Sequence, residues 1–246
     1  MKYKLTSYEL FALAVAAFLV DHVGLYFYTD ELWLRVFRLF ALVWFVPTGY
    51  NAGRKPDYAM WQSVIGLTVV SYVLGFQVLP VVAVGTILVI RLFIDRLAEF
   101  AVQDKRIFWM VNAALVMLIP FTAQYLEYGT VAVIIALGGW LLRHKDRVHG
   151  KLVDVRLYFA FMTAVYMVFT ASVFPFSPAQ WAVVLASTGG TAVLMYNFKT
   201  LLLNTVYRKN ADIISRACRW IGHKALYIYV FQLILMQLMI SWAASS

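Results

Sequence analysis

The chain has 246 residues, of which 63% are hydrophobic and 13% are charged, and its mean hydropathy is +0.77. Soluble globular domains average about 45–50% apolar and about 25% charged residues, so this composition excludes an ordinary soluble domain and indicates an integral membrane protein. The net charge of +9 does not indicate a nucleic-acid partner, because the basic residues lie in short loops between apolar segments. The single cysteine, Cys218, excludes an intramolecular disulfide.

Apolar segments follow one another along the whole chain. The first, 6–28, carries Asp21 and His22 and has no clear small-residue cleavage site, so we predict a retained helix rather than a signal peptide. Most segments are close to the ~20 residues that a helix needs to cross the hydrocarbon, and none shows the alternation of a barrel strand. The other eight are 32–52, 58–75, 78–94, 107–123, 129–142, 155–174, 179–199 and 223–242. We therefore predict an all-α, polytopic membrane bundle of about nine transmembrane helices, with 1–246 as one domain.

The distribution of lysine and arginine predicts the orientation. Basic residues cluster before the first segment and after the second, fourth, sixth and eighth, whereas the loops LGFQVLP, QYLEYG and FPFSPAQ contain none. Loops that carry Lys and Arg are cytoplasmic in multi-pass proteins. The N-terminus is therefore predicted to be cytoplasmic and the C-terminus to lie on the outer side.

Besides Glu9 near the start of the first segment, the first two segments contain Asp21, His22, Arg35 and Arg38. Arg35 and Arg38 are three residues apart and share a helix face, although they lie at the outer end, where orientation predicts no basic residues. His22 and Arg38 are each about six residues from the connecting hairpin YTDEL, so helical rise places them at a similar depth. We predict one polar cluster in the outer half of the membrane, with Asp30 and Glu31 as its nearest acidic neighbours. Charges there are costly, which favours a functional site.

Two stretches of this region carry a family resemblance. FLVDHVGLYF and RVFRLFALVWF closely resemble the N-terminal region of the TraX family, membrane proteins that acetylate the N-terminus of conjugative pilin. TGYNAGRK is similar to the end of the second span in the wider acyltransferase-3 and heparan-glucosaminide N-acetyltransferase families. HKALYIYVFQL resembles their C-terminal helix, but Gln232 stands where many members have histidine.

The resemblance implies an acetyltransferase of the bacterial cytoplasmic membrane. Acetyl-CoA would be the donor at the cytoplasmic face, and the acceptor would be an amine or hydroxyl at the outer face, on a pilin N-terminus or an envelope glycan. His22 would act as general base or acyl carrier, since histidine titrates near neutral pH. Arg38 and Arg35 would stabilise the oxyanion, and Asp21 would assist. The oligomeric state stays open.

Each of these residues also has a structural interpretation. His22 would pair with a carbonyl near the end of a helix, with Gly24 aiding termination. The arginines would pair with acidic neighbours and anchor the hairpin. Adjacent helical residues point about 100° apart, so Asp21 would pair directly with His22 only if the helix kinked after Val20. Asp30, Glu31 or a residue on another segment would otherwise orient His22, while Asp21 would bind the acceptor's ammonium group or neutralise an arginine.

The phosphates of coenzyme A require basic partners on the cytoplasmic side. Arg54, Lys55, Arg91 and Arg96 are the candidates, although the positive-inside rule accounts for each of them without a ligand. No metal is expected, because His, Cys and carboxylate residues do not have ligand spacing.

Two further patterns complete the interpretation. The basic stretch 205–222 predicts an interfacial helix that faces anionic lipid. Asn112, Asn197 and Gln232 lie within apolar segments, where interhelical hydrogen bonds are their usual role.

Two other functions compete with acyl transfer. A small transporter or proton-coupled channel would use the same buried charges as a relay. It would also need polar residues in the inner half of the bundle, where the first segment offers chiefly Glu9. The second is a non-catalytic assembly factor for a pilus or envelope complex, which would not need His22.

Overall fold

The computed structural model describes residues 6–51, 55–79, 82–148, 152–207 and 213–245. These residues form helices joined by short turns, and no strand occurs among them. A 3-10 helix, Val36–Phe40, joins α2 to α3. The α-helices are α1 (Ser7–Phe27), α2 (Leu32–Arg35), α3 (Ala41–Tyr50), α4 (Tyr58–Val73), α5 (Ala83–Ala101), α6 (Lys105–Met117), α7 (Ile119–Thr122), α8 (Gly129–Arg143), α9 (Lys145–Val148), α10 (Val155–Val173), α11 (Pro178–Tyr196), α12 (Phe198–Tyr207), α13 (Ile213–His223) and α14 (Ala225–Ser245).

The predicted all-α class is confirmed in the described part of the chain, and helix covers most of each predicted apolar segment. The largest shift is in the fourth segment, predicted at 78–94, where the helix is Ala83–Ala101. Within the described residues, four segments are long and apolar enough to cross a membrane: Ser7–Phe27, Leu32–Tyr50, Val155–Val173 and Ala225–Ala243. These long apolar helices are those of a membrane protein.

The chain forms two compact units. Unit 1 takes in the described residues of Met1–Val43, Val69–Phe76 and Ser177–Ser246, and unit 2 those of Trp44–Thr68 and Gln77–Phe176. The single domain predicted for 1–246 stays a prediction.

Helix α8 is the centre of unit 2. Each of its residues from Gly129 to Leu141 is buried, and α5, α6, α7 and α10 pack around it. Its contact with α3 is close enough that only glycine fits at two positions. A Cβ at Gly139 would overlap the carbonyl oxygen of Val46, and a Cβ at Gly49 would overlap that of Ala136. Such backbone proximity is how apolar helices associate where lipid leaves little hydrophobic driving force.

A buried polar network also joins helices in unit 2. The hydroxyl of Tyr158 on α10 lies 2.8 Å from Oδ1 of Asn112 on α6 and 3.1 Å from the carbonyl oxygen of Ile134 on α8. The interhelical hydrogen bond predicted for Asn112 is therefore confirmed. The same prediction is wrong for Asn197, which is exposed and whose Nδ2 donates to the carbonyl of Val193, four residues earlier in the chain.

In unit 1, α1 packs against α2, the 3-10 helix, α13 and α14. It begins with a capping box in which the Thr6 hydroxyl accepts from the backbone N–H of Glu9 and the Glu9 carboxylate accepts from that of Thr6. This reciprocal pair satisfies two backbone donors that a helix start leaves open.

Apart from Gln232 and Gln237, helix α14 is largely apolar around its circumference, but it is covered on one side only. Tyr229, Leu233 and Met236 are buried, whereas a stripe on the other face is exposed. The exposed stripe comprises Tyr227, Phe231, Leu235, Leu238 and Trp242. An apolar stripe of this length is typical of a helix that faces lipid.

Helix α13 covers the described end of the predicted interfacial stretch, of which 208–212 lies outside the described residues. It packs against the start of α1, where a Cβ at Gly222 would lie 3.0 Å from the carbonyl oxygen of Tyr8. Ile213, Arg216 and Trp220 are exposed. Exposed apolar and basic side chains are typical of a helix at a membrane surface, and the interfacial location of α13 stays a prediction.

Candidate functional site

The hairpin formed by α1 and α2 positions the predicted cluster. A Cβ at Gly24 would lie 2.6 Å from Cβ of Leu34 and 3.3 Å from Cδ of Arg35, so glycine lets the two arms approach each other. Helix α1 continues to Phe27, which makes the interpretation of Gly24 as a terminator wrong. Gly24 instead brings the second arm, with Arg35, against the C-terminal end of α1.

Asp21 and Arg35 form a buried ion pair across this hairpin. Nη1 of Arg35 lies 3.2 Å from Oδ1 of Asp21 and donates to the backbone carbonyl of Asp21 at 2.7 Å. Asp21 is 1% exposed and Arg35 is 5% exposed. Of the alternatives left open by the sequence for Asp21, the structure shows neutralisation of an arginine. Each charge compensates the other in surroundings where a lone charge would be very costly.

The hydrogen bond of His22 defines its tautomer. Nδ1 of His22 lies 2.8 Å from the carbonyl oxygen of Phe18, one helical turn earlier. A carbonyl can only accept, so we assign the proton to Nδ1, and Nε2 is then the basic nitrogen of the neutral ring. Oδ2 of Asp21 is 3.8 Å from Nδ1, too far for a hydrogen bond.

The sequence analysis left two kinds of partner open for His22, a backbone carbonyl and an acidic side chain, and the structure shows the carbonyl. Asp21 does not hydrogen-bond His22, as the helical geometry indicated. The expected orienting partner, Asp30, Glu31 or a residue on another segment, is wrong, because a backbone carbonyl of α1 takes that role and both acidic side chains of the hairpin are exposed.

Aromatic rings enclose His22, which is 5% exposed. The Phe18 ring is tilted against the imidazole with centroids 3.9 Å apart, and the Tyr229 ring meets it edge-on at 6.1 Å. The Tyr26 ring lies 6.2 Å away on the opposite side along α1. Sequence reasoning missed all three aromatic residues. Phe18 and Tyr26 lie four residues before and after His22, and residues four apart on a helix are neighbours, so the spacing could have predicted their contact with His22. Nothing in the local sequence could have predicted the contact with the distant Tyr229.

Arg38 is half-buried on the 3-10 helix that directly follows Arg35. Arg35 is the last residue of α2 and is buried, whereas Arg38 lies on the following 3-10 helix, so the shared face of the two arginines stays a prediction. Both positive charges act on His22. The structure thus brings Asp21, His22 and Arg35 together in unit 1, with Arg38 within electrostatic reach.

The candidate coenzyme-binding residues belong to unit 2, except for Arg54, which lies outside the described residues. Lys55 and Arg96 are exposed, and Arg91 is half-buried with Nη1 3.4 Å from the sulfur of Met60. Arg91 and Arg96 are five positions apart on α5 and so point about 140° apart. These two arginines cannot converge on one phosphate from a common helix face, and their role as coenzyme ligands stays a prediction.

Two buried glutamines on α14 differ in their partners. Nε2 of Gln237 donates to Oγ of Ser71 at 2.9 Å and lies 3.5 Å from the hydroxyl of Tyr26. Gln232 is 5% exposed, and neither its Nε2 nor its Oε1 has a hydrogen-bond partner among the residues that the structure describes. The interhelical hydrogen bond predicted for Gln232 is therefore wrong, and Gln237 makes one instead.

The described chain has long apolar helices, and its first hairpin buries a histidine and an ion pair. The class of protein is therefore a membrane protein with a polar centre among its candidate membrane spans. No group of three or more His, Cys, Asp or Glu that could hold a metal ion occurs among the residues that the structure describes. The chain is similar to the uncharacterized protein RP591 of Rickettsia prowazekii (strain Madrid E), with 23% identity over 244 residues that cover 94% of this chain and 92% of that protein. No family model and no solved structure matches.

Proposed function

We propose that the protein is a transmembrane acetyltransferase of the bacterial cytoplasmic membrane, of the kind that the TraX resemblance implies. Nine helices would cross the membrane as one domain, with the N-terminus in the cytoplasm. Acetyl-CoA would supply the acetyl group from the cytoplasmic side, and an amine or hydroxyl on a pilin peptide or envelope glycan would receive it at the outer face. The supporting observation is the burial of His22 beside the Asp21–Arg35 ion pair, with its Nδ1–H bonded to a backbone carbonyl so that Nε2 is its basic atom.

The proposed chemistry assigns one proton transfer to His22. Nε2 takes the proton from the acceptor nitrogen or oxygen while that atom attacks the carbonyl carbon of the thioester. A new C–N or C–O bond forms, the C–S bond breaks, and coenzyme A leaves as a thiolate that recovers the proton from Nε2. In the second form of the proposal, Nε2 itself attacks the thioester carbon, the C–S bond breaks and coenzyme A leaves as a thiolate. The acceptor then attacks the acetyl carbon, the bond from that carbon to Nε2 breaks, and the acceptor's proton passes to the thiolate.

The charged neighbours have separate roles in this proposal. Arg38 stabilises the oxyanion of the tetrahedral intermediate, a contribution for which a single donor typically accounts for about 100–1,000-fold in rate. Arg35 is engaged by the carboxylate and the carbonyl of Asp21, so its role is to hold the hairpin and the position of His22. Lys55 and Arg96, as exposed cations, would attract the phosphates of the coenzyme.

His144 provides a matched control for His22. Its Nδ1 lies 3.0 Å from the carbonyl oxygen of Trp140, and the two rings are tilted with centroids 4.0 Å apart. The local geometry is thus close to that of His22 and Phe18, but His144 is half-buried just after the last residue of α8. Backbone pairing alone therefore does not distinguish His22, whereas its burial beside an ion pair does.

The experiment is release of the coenzyme A thiol by purified protein in liposomes, with acetyl-CoA and either a short peptide or glucosamine as acceptor. Replacing His22→Ala should lower acceptor-dependent release by at least about 100-fold, since a positioned base contributes about 100–10,000-fold. His144→Ala should release thiol at the wild-type rate. Equal rates for all three proteins, or wild-type protein that releases no thiol with any acceptor, would contradict the proposal.

A further inference from the structure

Gln232 is a buried polar side chain that the structure of the protein alone does not satisfy. Its carboxamide offers two donors and an acceptor, yet within the described part of the chain neither Nε2 nor Oε1 has a hydrogen-bond partner, and the residue is 5% exposed. Buried polar groups are nearly always paired, and an unpaired one reduces stability. An unpaired carboxamide therefore requires an explanation.

The packing of α14 against α1 indicates the level of Gln232 relative to His22. Tyr229 contacts Phe18 and His22, and Gln237 reaches Tyr26, so the two helices run in the same direction. Gln232 follows Tyr229 by three residues, which puts it about 4.5 Å further along the helix axis. This is the level of α1 between His22 and Tyr26. Gln232 also belongs to the buried side of α14, together with Tyr229 and Met236.

Gln237 shows that α14 can satisfy a buried glutamine through its own neighbours. It is 4% exposed, and its carboxamide exchanges hydrogen bonds with Ser71 at 2.9 and 3.2 Å. Residue type, helix and burial are the same as for Gln232, and only the hydrogen bonding differs. Gln237 therefore has a structural role within unit 1, and the role of Gln232 is a different one.

We propose that Gln232 binds an uncharged hydrogen-bonding group of the acyl acceptor and holds it next to His22. This assignment rests on the proposed acetyltransferase function. A carboxamide is fully satisfied only by a ligand that both donates and accepts, such as an amide or a hydroxyl; an anion would leave Oε1 unpaired. Gln232 is a positioning residue, and Nε2 of His22 takes the proton.

The first part of the test compares the stability of two matched variants in detergent. Gln232→Leu should unfold at the same temperature as the wild type or a higher one, because an unpaired amide is exchanged for an apolar side chain. Gln237→Leu should unfold at a lower temperature, because it leaves the Ser71 hydroxyl without its partner. A similar loss of stability in both variants would show that Gln232 is structural and would overturn the proposal.

The second part measures acetyl transfer to a short peptide with a free amino terminus and, separately, to glucosamine. For the acceptor that the wild type uses, Gln232→Leu should raise the KM about 10-fold or more, the effect of losing about one well-made hydrogen bond, with kcat and the KM for acetyl-CoA unchanged. Comparing the peptide acceptor with glucosamine shows whether the group that Gln232 binds is a peptide amide or a sugar hydroxyl.

The remaining outcomes separate this assignment from the proposed function. An unchanged KM for the acceptor, or a rise only in the KM for acetyl-CoA, would overturn the role of Gln232 while His22-dependent transfer stands. Wild-type protein that transfers to neither acceptor would overturn the proposed function and the assignment with it.

Discussion

The Asp21 carboxylate and the Arg35 guanidinium form an ion pair that ties the first two arms of the chain together, with Oδ1 and Nη1 3.2 Å apart. The same guanidinium donates to the backbone carbonyl of Asp21 at 2.7 Å, so it contacts both the side chain and the main chain of one residue. Since His22 is the next residue after Asp21, these two contacts also hold the backbone at His22 in place. The pair is thus a structural support for the candidate site.

The first prediction concerns the removal of one member of this pair. Asp21→Asn should destabilise the protein by about 3–5 kcal/mol, because Arg35 then remains buried without a counter-charge. The double variant Asp21→Asn with Arg35→Met should recover most of the loss, since no lone charge remains. Thermal unfolding in detergent measures both effects, with Asp30→Asn on the exposed hairpin as the control. A double variant no more stable than Asp21→Asn would contradict this account.

The sequence predicts the hairpin and its polar cluster because both depend on local geometry. Helical rise and a short turn are sufficient to place His22 and the arginines at a similar depth, and the structure brings Asp21, His22 and Arg35 together. The spacing did not identify the atom that orients His22. A backbone carbonyl one turn away is available to any helical histidine, so residue types give no signal for it.

The contribution of α14 could not be predicted from the sequence. Tyr229 and Gln232 are about 200 residues from His22, and which face of α14 meets α1 depends on packing between distant helices. An apolar helix has no polar face to mark the buried side, so its sequence does not reveal the register. Gln232 and Gln237 are equivalent in the sequence, and only the fold shows that one is paired and the other is not.

The second prediction concerns Arg38. Arg38→Met should lower kcat by about 100-fold or more with little change in the unfolding temperature, because the side chain is half-buried and its proposed role is oxyanion stabilisation. Steady-state kinetics with acetyl-CoA and thermal unfolding measure the two effects. Arg35→Met is the comparison. It should lower the unfolding temperature, because Asp21 then remains buried without its counter-charge. An unaltered kcat in a folded Arg38→Met protein would remove Arg38 from the proposed mechanism.

The third prediction tests the nine-helix topology. In a Cys218→Ser background, a cysteine at the exposed Thr29 should react with a membrane-impermeant maleimide in intact spheroplasts. A cysteine at the exposed Gln103 should react only after the membrane is permeabilised, because the basic loop that contains it is predicted to be cytoplasmic. Labelling of both positions from the same side would contradict the proposed alternation.

The most direct test of His22-dependent acyl transfer uses acetyl-CoA labelled in the acetyl group and purified wild-type, His22→Ala and His144→Ala proteins, each verified as folded by thermal unfolding. Reactions are quenched with acid, and label is measured on the acceptor and on the protein. The account predicts that wild-type and His144→Ala proteins label the acceptor and that His22→Ala does not. Label that also appears on the wild-type protein would assign the acyl-carrier form of the mechanism. Transfer by His22→Ala at the wild-type rate would contradict the account.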